Sequence, residues 1–172
     1  MELKITDSDI LRSQLLEIKD FDQETKRKIS ESDILIIPNQ GFRGNNHRFF
    51  YEGTSDFLKL ARQELNNYSV ALCENEGSEK SLTLHSGEIW IPVLMVSIDP
   101  LKDVVLPTII NFVSSYIFYK FSKDAKEDKV DVHLKIIVED KKTKVTKSLS
   151  YDGKVSGLKS INIDAKKMFS EK

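Results

Sequence analysis

The stretch Asn39-Gln40-Gly41-Phe42-Arg43-Gly44-Asn45-Asn46-His47-Arg48 gathers two arginines, a histidine and two glycines into ten residues. Guanidinium forks and an imidazole are donors suited to phosphate or carboxylate oxygens, and glycines let backbone amides approach an anion closely. Arg43, His47 and Arg48 are therefore the candidate anion ligands. The loop follows Ile34-Leu35-Ile36-Ile37, an apolar run ended by Pro38 that reads as a buried strand. Loops at the carboxyl ends of strands often bind ligands in open α/β sheets. Neither nucleotide fingerprint is present, because the chain lacks both G-x-G-x-x-G and a P-loop Lys-Ser/Thr. A polar connection and an anion site both remain open for this segment.

Other chemistry is sparse. His47, His85 and His133 are far apart and form no H-E-x-x-H, so no metal ligand is assigned. Cys73, the single cysteine, ends a predicted strand without a catalytic signature, and G-x-S-x-G is absent. Asp99 and Asp103 flank Pro100, where turn and helix-cap roles account for both. No catalytic residue and no cofactor is assigned. An enzyme acting on a phosphate-bearing substrate through residues 39–48 is the alternative to a binding protein.

These residues need a scaffold, and the chain supplies one. Thr6-x-x-Asp9 resembles a capping box ahead of Ile10, Leu11, Leu15 and Ile18, predicting a first helix and a shorter one through Lys28. Phe57, Leu60, Ala61 and Leu65 recur at helical spacing behind Thr54 or Ser55 as cap. Strands are expected at 68–73 and near Leu82 and Leu84. Residues 89–98 are almost wholly apolar, and Pro92 within them implies an edge or a bulge.

In 104–121, twelve of eighteen residues are apolar, and Pro107 fits only a first helical turn. Thr108, Asn111 and Ser115 share one stripe of that helix, and with Trp90 they are the candidate partner contacts. A helix apolar nearly all round is buried on several sides or lies in lipid. Only sixteen residues separate Asp103 from Lys120, short of the roughly 20 of a membrane span. Burial on the sheet or against a partner is favoured, and membrane association through 89–121 is the disfavoured alternative. Val130 to Val138 alternates, and Val145, Leu149 and Tyr151 give the return strand of a hairpin, with Asp152-Gly153 turning the chain. Lys141, Lys142, Lys144 and Lys147 read as guards of an edge strand. A short amphipathic element at Val155, Leu158 and Ile161 and a helix after Asp164 finish the chain. The expectation is an α+β fold: a mixed sheet, helices including one strongly apolar central helix, and a C-terminal β-hairpin. It is read as one domain over 1–172, with a possible subdivision at 1–80 and 81–172.

Composition bounds the function. With 26 Lys+Arg against 27 Asp+Glu in 172 residues, the net charge is −1. Residues 1–119 are acidic, and residues 120–172 hold 14 lysines, no arginine and nine acids. Lysines without guanidinium forks or interleaved aromatics do not suit sequence-specific nucleic-acid readout. One cysteine excludes an internal disulfide framework. The acidic, polar start carries no signal-peptide pattern, and the cytoplasm is the expected compartment.

The Val104–Phe121 helix, the strand Val130-Asp-Val-His-Leu-Lys-Ile-Ile-Val138 and the Asp152-Gly153 pair lie within residues 103–161, about a third of the chain. In this pattern, residues 103–161 resemble the small effector-associated α+β domains of bacterial conflict and anti-phage systems. The resemblance implies a non-catalytic coupling or sensing component acting with a protein partner or as a homo-oligomer. It carries over no active-site residue.

Overall fold

The computed structural model describes residues 2–39, 48–83, 87–121 and 129–170. Its strands are β1 (Glu2–Asp7), β2 (Ile34–Ile37), β3 (Phe50–Tyr51), β4 (Val70–Leu72), β5 (Ser81–Leu82), β6 (Ile89–Trp90), β7 (Val93–Ile98), β8 (Asp131–Asp140) and β9 (Thr146–Lys154). Its helices are α1 (Arg12–Leu16), α2 (Gln23–Glu31), α3 (Thr54–Glu64), α4 (Val105–Lys120), α5 (Val155–Lys159) and α6 (Ala165–Ser170). The main sheet runs β1-β9-β8-β7-β2-β4, with β6 in line with β7 along the same flank of β8. Pairing is mixed: β7 and β8 are parallel, as are β2 and β4, while β1–β9, β8–β9 and β2–β7 are antiparallel. β3 and β5 form a small parallel sheet of their own. The fold is α+β.

The 89–98 run enters the sheet as two strands separated by a bulge. Trp90 pairs with His133 and Leu94 with Ile136. Three residues, Ile91 to Val93, thus oppose two on β8. Pro92 has no N–H to give to a ladder, and the bulge accommodates it. Ile91 keeps its own bond, donating its N–H to the His133 carbonyl at 3.0 Å.

Helices cover both faces. On one face, Ile34, Ile36, Leu94, Val96, Leu134, Ile136 and Val138 pack beneath α3–α6. On the other, Leu35, Ile37, Met95 and Ile137 meet Leu15, Phe21 and Ile29 of the α1–α2 layer. Alternation along each strand sorts its residues between these two layers. Helix α4 is the central piece. Leu106, Ile109, Val113 and Ile117 are completely buried, and burial of each such side chain is worth about 1.5–3 kcal/mol. Asp103 caps it, accepting from the N–H groups of Val105 and Leu106 at 2.8 and 3.2 Å, and Pro107 lies in its first turn. Among the described residues no helix is long and apolar enough to cross a membrane.

Three expectations change. Thr6 and Asp9 do not form a capping box: Thr6 lies in β1, whose alternation Glu2-Leu3-Lys4-Ile5-Thr6 pairs it with β9, and α1 starts at Arg12 behind Leu11. Asp152-Gly153 does not turn the chain: β9 runs through both, opposite His133 and Val132. Because β1 covers it, β9 is an interior strand, and Lys147 guards no edge but pairs with Asp7 of β1.

A buried ion pair ties the α1–α2 layer to the sheet. The Arg12 guanidinium donates to Glu139 (Nε, 3.3 Å), to Ser97 Oγ (2.8 Å) and to the carbonyls of Ile29 and Ser32 (2.5 and 2.8 Å). Ser97 Oγ in turn donates to Glu139 at 2.6 Å. Removing one partner leaves the other charge uncompensated, which costs about 3–5 kcal/mol at buried sites. Arg12→Ala should therefore lower unfolding stability by roughly that amount in urea titrations; an unchanged midpoint would show that the clamp contributes nothing.

Candidate functional site

The carboxyl ends of β2 and β4 and the amino ends of β6 and β8 meet at one end of the sheet, because β2 runs antiparallel to β7. The described flanks of the 39–48 loop lie here. Asn39 and Phe49 exchange backbone hydrogen bonds of 2.7 and 3.0 Å, closing its base. Arg43 and His47 lie outside the described residues.

Arg48 lies inside them and faces carboxylates. Its Nε and Nη2 donate to both oxygens of Glu74 (3.0 and 3.1 Å), and Nη1 and Nη2 donate to both oxygens of Asp20 (3.2 and 2.6 Å). The guanidinium also lies 4.7 Å from the centre of the Phe21 ring. Hydrogen bonds to Asp20 and Glu74 hold its pKa above the ordinary arginine value. With two doubly bonded carboxylates on one fork, any phosphate at Arg48 must displace one of them.

A second constellation forms where three strands stand side by side. Trp90 on β6 pairs with His133 on β8, and His133 pairs with Asp152 on β9. Register partners share a face, so indole, imidazole and carboxylate line up. The Trp90 and His133 rings stack 3.9 Å apart at 18°. His133 Nδ1 lies 2.5 Å from Asp152 Oδ1. Nε2 lies 3.3 Å from Glu88 Oε1, an ion-pair distance whose angles do not make a hydrogen bond.

Trp90 also meets Tyr51, with centroids 5.4 Å apart, and the two open onto a cleft of about 380 Å³. Its aromatic wall continues into Tyr116 and Phe121 at the end of α4, and Glu52, Asp56 and Glu88 supply carboxylates. Lys120 reaches Asp56 at 2.6 Å, which holds that carboxyl below and the ammonium above their ordinary values. Burial raises the Tyr51 and Tyr116 phenols, so both stay protonated near neutrality; a hydrogen bond with Asn39 partly offsets the shift at Tyr51. Gly53 borders the cleft at φ +89°, and a Cβ there would stand 3.5 Å from the Tyr116 hydroxyl.

Asn111 and Ser115 are exposed and Thr108 is half-buried on the outward stripe of α4, between Val104 and Tyr119, which are 64% and 72% exposed. The stripe leads away from the cleft along the helix. The structure thus adds Tyr51, Glu88, Tyr116, His133 and Asp152 to the residues that spacing had singled out. Among the described residues no group of three or more His, Cys, Asp or Glu is placed to hold a metal ion.

Two predictions follow from the ionisable groups. Burial, followed by the nearby Glu74 charge, pushes the Cys73 thiol up to about 12. Since the thiolate is the reactive form, Cys73 should resist Ellman's reagent in the folded chain and react fully in denaturant; rapid native labelling would contradict its burial. At Asp20, the hydrogen bonds from Arg48 hold the carboxyl below its ordinary 3.8. A lowered folded-state pKa contributes stability above the unfolded value, lost as pH falls through the folded one. The stability difference between the native chain and Asp20→Asn should therefore be present at pH 7 and shrink progressively below about pH 4, as read from urea midpoints; a pH-independent difference would exclude the ion pair as its source.

No protein-family model, no curated protein and no solved structure matches this chain, so its functional reading rests on its own residues.

Proposed function

We propose that this chain acts by binding, as a cytoplasmic, non-catalytic coupling component that holds a partner protein at the Trp90 cleft. The observation that carries this reading is the cleft itself: an aromatic wall with a few placed polar groups, which is the composition of recognition sites. Tyrosine and tryptophan are the residues that most often anchor protein contacts. The outward stripe Thr108, Asn111 and Ser115 extends the contact surface along α4. The resemblance over residues 103–161 supplies the kind of partner, an effector of a bacterial conflict or anti-phage system. The enzymatic alternative at 39–48 is the poorer reading, because Arg48 already carries Asp20 and Glu74.

Co-expression with the products of neighbouring genes tests the proposal. A stable complex should form with the native chain and weaken at least tenfold in Trp90→Ala and in Ser115→Arg, with far-ultraviolet circular dichroism unchanged. A complex indifferent to both substitutions would place the contact elsewhere. A lone monomer that hydrolyses phosphate esters would overturn the binding role.

A further inference from the structure

We propose, independently of the Trp90 cleft, that β1 is a docking edge whose occupant is the β1 of a second copy of this chain, the sheet continuing across a two-fold axis. β1 and β4 are the two ends of the main sheet. An edge strand presents a row of backbone N–H and C=O groups that pairs with another strand unless something blocks it. At β4 the row is only three residues long, and Arg62 Nε donates to its outward Val70 carbonyl at 3.1 Å. β1 instead runs through six unbroken register pairs with β9, without a proline or a bulge. The bond from the Ser8 N–H to the Thr146 carbonyl fixes which groups face inward. Bonded pairs of an antiparallel ladder recur at every second residue, so Glu2, Lys4 and Thr6 bond to β9. The N–H and C=O groups of Leu3, Ile5 and Asp7 face outward, and among the described residues no strand takes them.

β1 is its own complement. Centred on Lys4, antiparallel pairing sets Leu3 opposite Ile5 of the second copy and Ile5 opposite its Leu3, each pair exchanging two hydrogen bonds. Leu3 and Ile5 are 37% and 44% exposed, and this register gathers them with their counterparts on one face. Centring on Ile5 would instead set each Leu3 against an Asp7. Charge on the opposite face also matches. A lone lysine guards an edge against pairing, but Lys4 is answered by Glu2 at 2.7 Å. In the register centred on Lys4, Glu2 of each copy also stands diagonal to Lys4 of the other. The face carrying Leu3 and Ile5 opens onto a groove of about 850 Å³ that Ile163 and Met168 also line. Alternate side chains of an added strand enter such a groove and give edge pairing its specificity.

Sedimentation velocity of the full chain over a wide range of concentration, with disulfide trapping through single cysteines placed in β1, tests the pairing. Cys73 is completely buried and does not compete. A reversible monomer–dimer equilibrium is expected. Lys4→Cys should yield a crosslinked dimer on mild oxidation, because opposed residues of a non-hydrogen-bonded pair stand about 4.5 Å apart, within disulfide reach. Ile5→Cys should stay uncrosslinked, its two copies being diagonal at about 7–8 Å. Ile5→Pro removes an outward N–H and none that bonds to β9, while Leu3→Lys puts a charge into the apolar pairing. Each should weaken the dimer at least tenfold with circular dichroism unchanged. A monomer at every concentration overturns the second copy as occupant, whether or not a strand of another protein crosslinks to Lys4→Cys. A dimer indifferent to Leu3→Lys lies on another surface and overturns the docking edge. Trapping through Ile5→Cys in place of Lys4→Cys overturns the register.

Discussion

The register of β8 is the constraint on which both ends of the molecule depend. A strand's side chains alternate between faces, so a slip of one residue would exchange its two layers. On β8 that slip would move Val132, Leu134, Ile136 and Val138 out of the α4 layer. It would also carry Glu139 away from Arg12 and His133 away from the row with Trp90 and Asp152. The register is held from both flanks, by the antiparallel ladder to β9 and the parallel ladder to β6 and β7. The bulge at Pro92 absorbs the one-residue difference between the two parts of the parallel ladder. Core packing in the middle of the strand thereby sets the position of polar groups at its ends.

Electrostatics follow the fold more closely than the linear chain. Along the sequence, the basic C-terminal part stands apart from an acidic remainder. In three dimensions the two interleave, since Lys120 meets Asp56 and Lys147 meets Asp7, while Lys154 meets Asp131 within the basic part. Exposed pairs such as these contribute little individually, typically under about 1 kcal/mol. Their consequence is distribution. Each of these lysines is answered by a carboxylate, so the basic run of the sequence does not stand alone in the fold.

Much of this was legible in the residues and some was not, for identifiable reasons. The 34–37 run, the α3 periodicity, the apolar α4 and the alternation of β8 each carried one strong period, and each appears where expected. β1 was missed because it holds only two apolar residues, Leu3 and Ile5, and they are 37% and 44% exposed; its pairing with β9 is a long-range fact. Asp152-Gly153 is a strong local turn signal, overruled by nine register pairs between β8 and β9. That one misreading concealed the His133–Asp152 contact. Trp90 was singled out, but its ring partners Tyr51 and His133 and the cleft residue Tyr116 come from three other places in the chain, and no spacing rule connects them.

The cleft is an extension of the core, and this bears on how it can bind. Tyr116 is buried among Phe57 and Phe112, with ring centroids 5.0 and 6.4 Å away, and Phe57 meets Phe112 edge-on at 5.2 Å. The same Tyr116 lines the cleft beside Gly53, whose φ of +89° is a left-handed conformation that glycine adopts readily. Trp90 is fixed by the stack on His133, and Tyr51 belongs to the β3–β5 pair. The aromatic wall is therefore ordered by folding rather than by the ligand. Association ordinarily loses about 0.5–1.5 kcal/mol for each flexible side chain it immobilises, and here that loss is already met. An aromatic wall ordered in advance favours selection by shape over adaptation to many partners.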